Sequence, residues 1–398
     1  MKICQVGTGF TSVPPLVSAA TEQVISNLCR ELIDLGCDVR LIDILDKNRI
    51  LTTTRLDVHQ VPYFSFIKTI RSNSLGLIAK RVSFSFSSLR EIKMMKNDCD
   101  VIHFHNQFPA FIFQSFIKFS PCNVPTIFTL HNGMWALPSD ELPKNAKIKF
   151  ALEVNAMNNA TKVIAVSKTL KNGIVEHLKF DPSSIAVIPN GVDTTFFSPT
   201  NTSNYLQKKL APNSEKIILC VGRICDYKGQ KILVNAIPKI LKITSNVKFV
   251  FAGPVDDIEY FKEIKEIINS KSLSKFCIFV GNISPKIVSD YISITNVFVL
   301  PSKREGLSLT LLEAMSSAKA VVATGIPQNK EVAKEGNEVI FVDSADADEL
   351  SDAIIRILSD DGLMKRLGEN ARKTAVKYFD WKIVAAETLK LYENVVNN

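Results

Sequence analysis

The sequence predicts an α/β protein built from two successive doubly wound parallel sheets. Three observations carry this. Short apolar runs of β-forming residues alternate with helical patterns along the whole chain. The alternation breaks once, at Pro189-Asn190-Gly191 and a stretch rich in Ser, Thr, Asn and Pro over 198–214. The length, 398 residues, fits two or three domains of about 100–200 residues each.

Taken in order, Lys2 to Val6 reads as a short strand ending at Gly7. A helical pattern follows from Thr21 to Leu35, with Val24, Leu28, Leu32 and Leu35 on one face and Gly36 as its stop. A second strand runs from Val39 to Ile44, and strand–helix–strand is the opening of a parallel sheet with crossover helices. Val101 to Phe104, Thr126 to Leu130 and Lys162 to Val166 continue it. Beyond the linker near residue 200 the rhythm restarts with Lys216 to Val221, Val247 to Ala252 and Phe276 to Val280. Val297 to Leu300, Ala320 to Ala323 and Val339 to Val342 complete the second set, and Phe379 to Asn398 reads as a terminal helix.

Composition narrows the classes. Hydrophobic residues at 46% and charged residues at 22% exclude a disordered or fibrous chain. No run approaches the ~18 apolar residues of a spanning helix, and the apolar stretch at the N-terminus is too short for a secretory signal, so a cytoplasmic location is expected. Eight cysteines stand singly, at 4, 29, 37, 99, 122, 220, 225 and 277, and read as small buried side chains in a reducing compartment. A net charge of +8 suits phosphate-bearing ligands, an anionic membrane or nucleic acid, and selects none of them.

In open parallel sheets ligands bind beyond the C-terminal strand ends, where loops lead into helices. Three such loops stand out. Gly222 ends a strand, and Arg223 and Lys228 project from the loop before Gly229; a planar guanidinium fork and a mobile ammonium together suit a diphosphate. The second is Pro301 to Leu309, with Glu305-Gly306-Leu307-Ser308-Leu309 running into a helix that carries Glu313. Backbone N–H groups near Leu307 to Leu309 would bind an anion or a sugar hydroxyl. Two carboxylates eight positions apart, ~12 Å if the span were fully helical, fit two points along an extended ligand better than a glycosidase pair. The third is Gly7-Thr8-Gly9-Phe10-Thr11-Ser12, a glycine loop that lacks the third glycine of a dinucleotide fingerprint.

Together these residues resemble the retaining glycosyltransferases of family 4. Glu305-Gly-Leu-Ser-Leu-Thr-Leu-Leu-Glu313 resembles the family's E-x7-E segment, and Gly222-Arg223…Lys228-Gly229 its diphosphate loop. Val187-Ile188-Pro189-Asn190-Gly191-Val192-Asp193, Val163 to Ser167 and Phe128 to Asn132 are similar to three further family segments, and all five occur in the family's order. Leu307-Ser308 replace the family's usual Phe-Gly, the N-terminal loop lacks its Gly-Gly pair, and Val322 to Pro327 departs from its T-D-x-G-G.

The resemblance implies the GT-B fold: two Rossmann-like α/β/α domains with parallel sheets facing across a cleft. An acceptor-binding domain would span 1–196 plus the helix of about 379–398, and a donor-binding domain 197–378. It implies transfer of a hexosyl unit from a UDP- or GDP-linked sugar to a hydroxyl of a glycan or lipid, with retention of configuration and neither metal nor cofactor. Arg223 and Lys228 would hold the diphosphate and Glu313 the ribose. Glu305, with Gly306 and the amides of Leu307, Ser308 and Leu309, would grip the sugar. His131 would lie beside sugar and acceptor, Gly9 and Gly222 near the donor phosphates, and Gly281 and Ile283 near the base.

His103 and His105 share one face of a strand and could mimic a metal pair, but no Cys or carboxylate motif completes it, so structural or cleft-lining roles are expected. Residues 66–96 hold seven cations against Glu91, with Phe66, Phe84 and Phe86 among them. Docking on an anionic membrane, giving a peripheral location, and a solvated basic face are both compatible with that stretch. The apolar run Phe108 to Phe113 reads as core or as a lipid-facing edge. No nucleic-acid reader motif accompanies the charge. Two alternatives stay open: a sugar-nucleotide epimerase or phosphorylase of similar fold, for which no pyridoxal lysine site is evident, and a nucleotide-sugar-binding protein, against which four intact site residues argue.

Overall fold

Every strand pairs in parallel with its neighbours, and the strands sort into two separate sheets. The computed structural model describes residues 1–17, 19–50, 55–64, 74–95, 98–117, 123–343 and 346–397. The chain divides into two units, one formed by Met1–Pro189 with Trp381–Asn398 and the other by Asn190–Asp380.

The first unit begins with β1 (Lys2–Val6), α1 (Ala20–Asp34), β2 (Asp38–Ile44), β3 (Asp57–Val61), α2 (Ser74–Met95) and β4 (Val101–Phe104). It continues with α3 (Gln107–Ile117), β5 (Thr126–Leu130), α4 (Ala146–Lys149), α5 (Ala151–Asn158), β6 (Lys162–Ala165), α6 (Lys168–Leu178) and β7 (Ile185–Val187). Its sheet order is β3-β2-β1-β4-β5-β6-β7. The second unit runs α7 (Asn204–Leu210), β8 (Lys216–Val221), α8 (Gln230–Ile243), β9 (Val247–Ala252), α9 (Ile258–Ser270), β10 (Cys277–Gly281) and α10 (Pro285–Ser293). It closes with β11 (Val297–Leu300), α11 (Leu309–Ser316), β12 (Ala320–Thr324), α12 (Pro327–Val332), β13 (Ile340–Val342), α13 (Ala347–Leu358) and α14 (Asp361–Tyr378), with sheet order β10-β9-β8-β11-β12-β13. The last helix, α15 (Trp381–Asn397), belongs to the first unit.

In both sheets the strand order reverses beside the first strand, between β1 and β4 and between β8 and β11. Those are the switch points where a ligand can enter beyond the strand ends. The central strands β4, β5, β11 and β12 are buried at every position, because helices cover both faces and leave no side for polar alternation.

Three features differ from the sequence expectation. β3 and β7 escape the apolar signal because each is an edge strand, β3 half-exposed and β7 only three residues long. The expected linker over 198–214 contains α7, with Leu206 buried. The crossing itself lies at Pro189–Asn190 and not at 196–197. Residues after Pro189 are already tied into the second unit. Asn190 Nδ2 donates to Leu307 O at 3.0 Å, Val192 N–H to Phe379 O at 2.7 Å, and Ser316 Oγ to Phe197 O at 2.6 Å.

Within the basic stretch, residues 66–73 and Lys96 lie outside the described residues. Phe84 is fully buried, correcting its reading as part of an exposed face, whereas Phe86 is exposed. Arg81 lies over the rings of Phe10 and Phe108, and Lys93 Nζ sits 3.3 Å from the Phe116 ring centroid. Ala110 and Phe113 of α3 are core residues. No helix among the described residues is long and apolar enough to cross a membrane.

Candidate functional site

In the second unit Arg223, Lys228, Lys303 and Glu305 stand on the loops that leave β8 and β11. Gly222 closes β8 by donating its N–H to Ala252 O at 2.8 Å. Asp226–Lys228 then form a 3₁₀ turn, and Gly229 at φ 72° caps it. A Cβ on Gly229 would stand 1.9 Å from Pro301 O, so only glycine lets this turn lie against the exit of β11. The two loops are joined further by Lys303 N–H to Tyr227 O at 2.8 Å and by Lys303 Nζ to both Asp226 oxygens at 2.8 and 2.9 Å.

This zipper carries Lys228 to Glu305. Its Nζ donates to Oε1 at 2.7 Å and to Oε2 at 3.0 Å, with both side chains largely buried. Arg223 takes another direction. More than half exposed, it pairs with Asp256 at 3.0 Å and donates to the Tyr227 hydroxyl. Gln230 Nε2 holds the Arg223 carbonyl at 2.8 Å. The Tyr227 ring also lies near the guanidinium of Arg304, 4.8 Å from the ring centroid, a third cation that spacing alone did not single out.

Gly306 and Leu307 lead into α11, whose N-cap is Ser308; its Oγ accepts from Leu311 N–H. The helix starts at Leu309, so Glu305 stands on the loop and only Glu313 on the helix, where it is buried. Gly281 ends β10, two strands from β8, and Ile283 follows it half-buried. The Asp256-Asp257 pair divides its work: Asp256 faces Arg223, while Asp257 caps α9.

In the first unit the glycine loop after β1 is pinned. Tyr63 donates its hydroxyl to Gly9 O at 3.1 Å, and a Cβ on Gly9 would meet the Phe84 ring at 2.5 Å. Asp43 accepts from Val13 N–H at 2.7 Å and from Arg49 at 2.8 Å, while Arg49 donates to Val13 O at 2.6 Å. Burial pushes the Asp43 carboxyl up to about 6.

His131 leaves β5 and lies beside His105, Nε2 to Nδ1 at 3.1 Å. Burial holds His131 down to about 4, His103 to about 3 and His105 well below the ordinary imidazole value, so all three are neutral. The loop beyond His131 is anchored by Glu153, which accepts from Trp135 Nε1 at 2.7 Å and from Asn132 Nδ2. Burial raises the Glu153 carboxyl to about 7. Spacing did not reveal Glu153, since a single Glu on a helix carries no signal of what it will meet.

Comparison with known proteins follows the same division. The profile of glycosyl transferases group 1 matches residues 201–374, and that of glycosyltransferase family 4 matches 21–196. The GPI3 subunit of phosphatidylinositol N-acetylglucosaminyltransferase from Saccharomyces cerevisiae is 26% identical over 93% of this chain and 79% of its own. Alpha-maltose-1-phosphate synthase of Mycobacterium tuberculosis is 28% identical over 69% and 74%. Among solved structures, sucrose-phosphate synthase from Thermosynechococcus elongatus superposes with a TM-score of 0.81 at 20% identity, covering 99% of this chain and 98% of that one. Anabaena HepE in complex with UDP and glucose gives 0.77 at 18%, covering 99% of each chain. These likenesses show the GT-B fold.

Proposed function

Because the chain belongs to the group 1 glycosyltransferases of family 4, we propose that it moves a hexosyl unit from a UDP- or GDP-linked sugar to a hydroxyl of a glycan or lipid-linked acceptor, with retention of configuration. The observation that carries this reading is the Lys228–Glu305 pair, held at the switch point of the second sheet by the loops of β8 and β11.

Loss of a nucleoside diphosphate builds negative charge on the leaving oxygens. Preorganised cations stabilise that charge at no reorganisation cost. Arg223 and Lys228 take this role in our reading, which makes the reaction independent of a metal. Glu305 grips the sugar with the amides of Leu307 to Leu309, Glu313 accepts from the ribose, and the base lies toward Gly281 and Ile283. Gly9, Gly222 and Gly306 give the ligand backbone access, and His131 serves the sugar or acceptor side. The UDP and glucose in the HepE crystals support a UDP-linked hexose, and the phosphatidylinositol in the GPI3 relative's name supports a lipid acceptor.

The test is a calorimetric titration with uridine, guanosine and adenosine diphosphates, followed by product analysis with the matching sugars. Arg223→Ala and Lys228→Ala are each expected to weaken diphosphate binding by about 1.5–3 kcal/mol. Glu305→Ala should abolish turnover and leave free nucleotide binding nearly intact. Donor binding with neither transfer nor slow donor hydrolysis would overturn the reading in favour of a binding protein.

A further inference from the structure

A continuous hydrogen-bonded chain crosses the buried face of the first sheet. Gln5 on β1 is the register partner of His103 on β4, and His105 follows two positions later on the same face. Thr129 on β5 and His131, the first residue beyond it, continue that face, and α15 lays the fully buried Tyr392 against it. From one end to the other, Thr129 Oγ1 lies 2.6 Å from His103 Nε2, and His103 Nδ1 lies 2.5 Å from the Tyr392 hydroxyl. That hydroxyl is 3.0 Å from Gln5 Nε2, Gln5 Oε1 is 2.8 Å from His105 Nε2, and His105 Nδ1 is 3.1 Å from His131 Nε2.

Donor and acceptor chemistry gives the chain a direction. Gln5 Oε1 can only accept, so His105 Nε2 carries its proton. A neutral His105 then offers Nδ1 as a lone pair, and His131 Nε2–H is the group that fills it. At the other end Gln5 Nε2 can only donate, so Tyr392 accepts and passes its own proton to His103 Nδ1. His103 Nε2–H completes the chain on Thr129. All five bonds run the same way, from His131 toward Thr129, so each proton in the chain fixes the next.

We propose that Gln5, held by Tyr392 and acting through His105, is a positioning residue that sets the tautomer of His131, protonated on Nε2 and bare on Nδ1. The functional consequence rests on the assignment of His131 to the sugar or acceptor side of transfer. On that assignment Nδ1 accepts a hydrogen bond from a hydroxyl, and it is not a proton donor to the departing oxygen. The opposite orientation of the Gln5 amide reverses every bond and moves the His131 proton to Nδ1, so the tautomer reports the relay directly.

The experiment is long-range 1H–15N NMR on the full chain labelled at histidine, at pH 7, for the parent, Tyr392→Phe and Gln5→Leu. Tyr392→Phe keeps the ring volume, so a readable variant remains if Gln5→Leu does not fold. The parent is expected to show His131 as a single Nε2–H species, and both variants a mixture of tautomers with the fold retained by circular dichroism. In turnover, Tyr392→Phe should lower kcat roughly tenfold, the worth of about one hydrogen bond, with donor KM within about twofold. His131 protonated on Nδ1 or on both nitrogens in the parent, or an unchanged tautomer in both variants, overturns the relay. His131→Ala tests the underlying assignment separately: parental activity in that variant removes His131 from the reaction, while the tautomer measured by NMR still decides the relay.

Discussion

Lys228 and Glu305 stand 77 positions apart in the chain, yet the Nζ of one lies within hydrogen-bond distance of both oxygens of the other. Each side chain is mostly shielded from water, 16% and 9% exposed. Removing either partner therefore leaves a poorly hydrated charge without its counterion. Lys228→Ala and Glu305→Ala should each cost about 1–3 kcal/mol of stability. The double variant should cost less than their sum, by about 0.5–3 kcal/mol. Urea denaturation of the four proteins gives the coupling directly, and strict additivity would dissolve the pair as an interacting unit.

Gly229 and Gly281 share nearly the same backbone conformation, φ 72° and 71°, in different surroundings. Alanine at Gly281 meets open space and should cost only the strain of a left-handed residue, about 1–2 kcal/mol. Alanine at Gly229 adds a collision with Pro301 O and must part the two loops. It should be the more destabilising of the two and should also weaken nucleoside-diphosphate binding. Equal melting temperatures for the two variants would refute the contact between the loops.

Asp256 competes with any anion for Arg223. Both side chains are about half exposed, and such a pair contributes ~0–1 kcal/mol. Asp256→Ala is expected to leave stability within that range and to hold or raise diphosphate affinity, opposite to Arg223→Ala. Calorimetry showing a loss of affinity in Asp256→Ala would assign Asp256 to the ligand side.

Glu153 makes the stability of the first unit depend on pH. Its carboxyl titrates near 7 in the folded chain and near 4.5 when unfolded, so between those values the native state holds more protons and stability falls as pH rises. Glu153→Gln carries no such proton. The stability of the parent relative to this variant should decline from pH 4.5 to 7 and then level off. Denaturation at three pH values measures this, and a flat difference would contradict it.

The neutral histidines of the first sheet act in the opposite sense. His103 and His131 titrate near 3 and 4 when folded and near 6.5 when unfolded, so stability is lost as pH falls below 6.5. Replacing His103 by Gln should flatten the acid limb by about one proton. A limb as steep as the parent's would mean that His103 is charged in the native state.

Much of this was legible in one dimension. Buried parallel strands must be apolar along their whole length, so β1, β4, β5, β8, β9 and β11 could be read to the residue. Half-exposed β3 and the three-residue β7 lack that constraint and left no mark. The loops that bring Lys228 to Glu305 stand out in the sequence because charged residues and glycines cluster where each strand ends. Gln5, Glu153 and Tyr392 do not, since each is an ordinary residue on an ordinary element until another part of the chain folds against it.

The amino-acid order by itself determined two parallel-sheet units, the succession of their buried strands and the loops that bear charge, because periodicity and local turn chemistry depend only on near neighbours. Folding decided which charges meet. It gave Lys228 to Glu305 and Arg223 to Asp256, moved the junction to Pro189, and brought α15 back so that Tyr392 reaches Gln5 from 387 positions away. Those choices turn on burial and on distances across strands, and neither quantity exists until the sheets have closed.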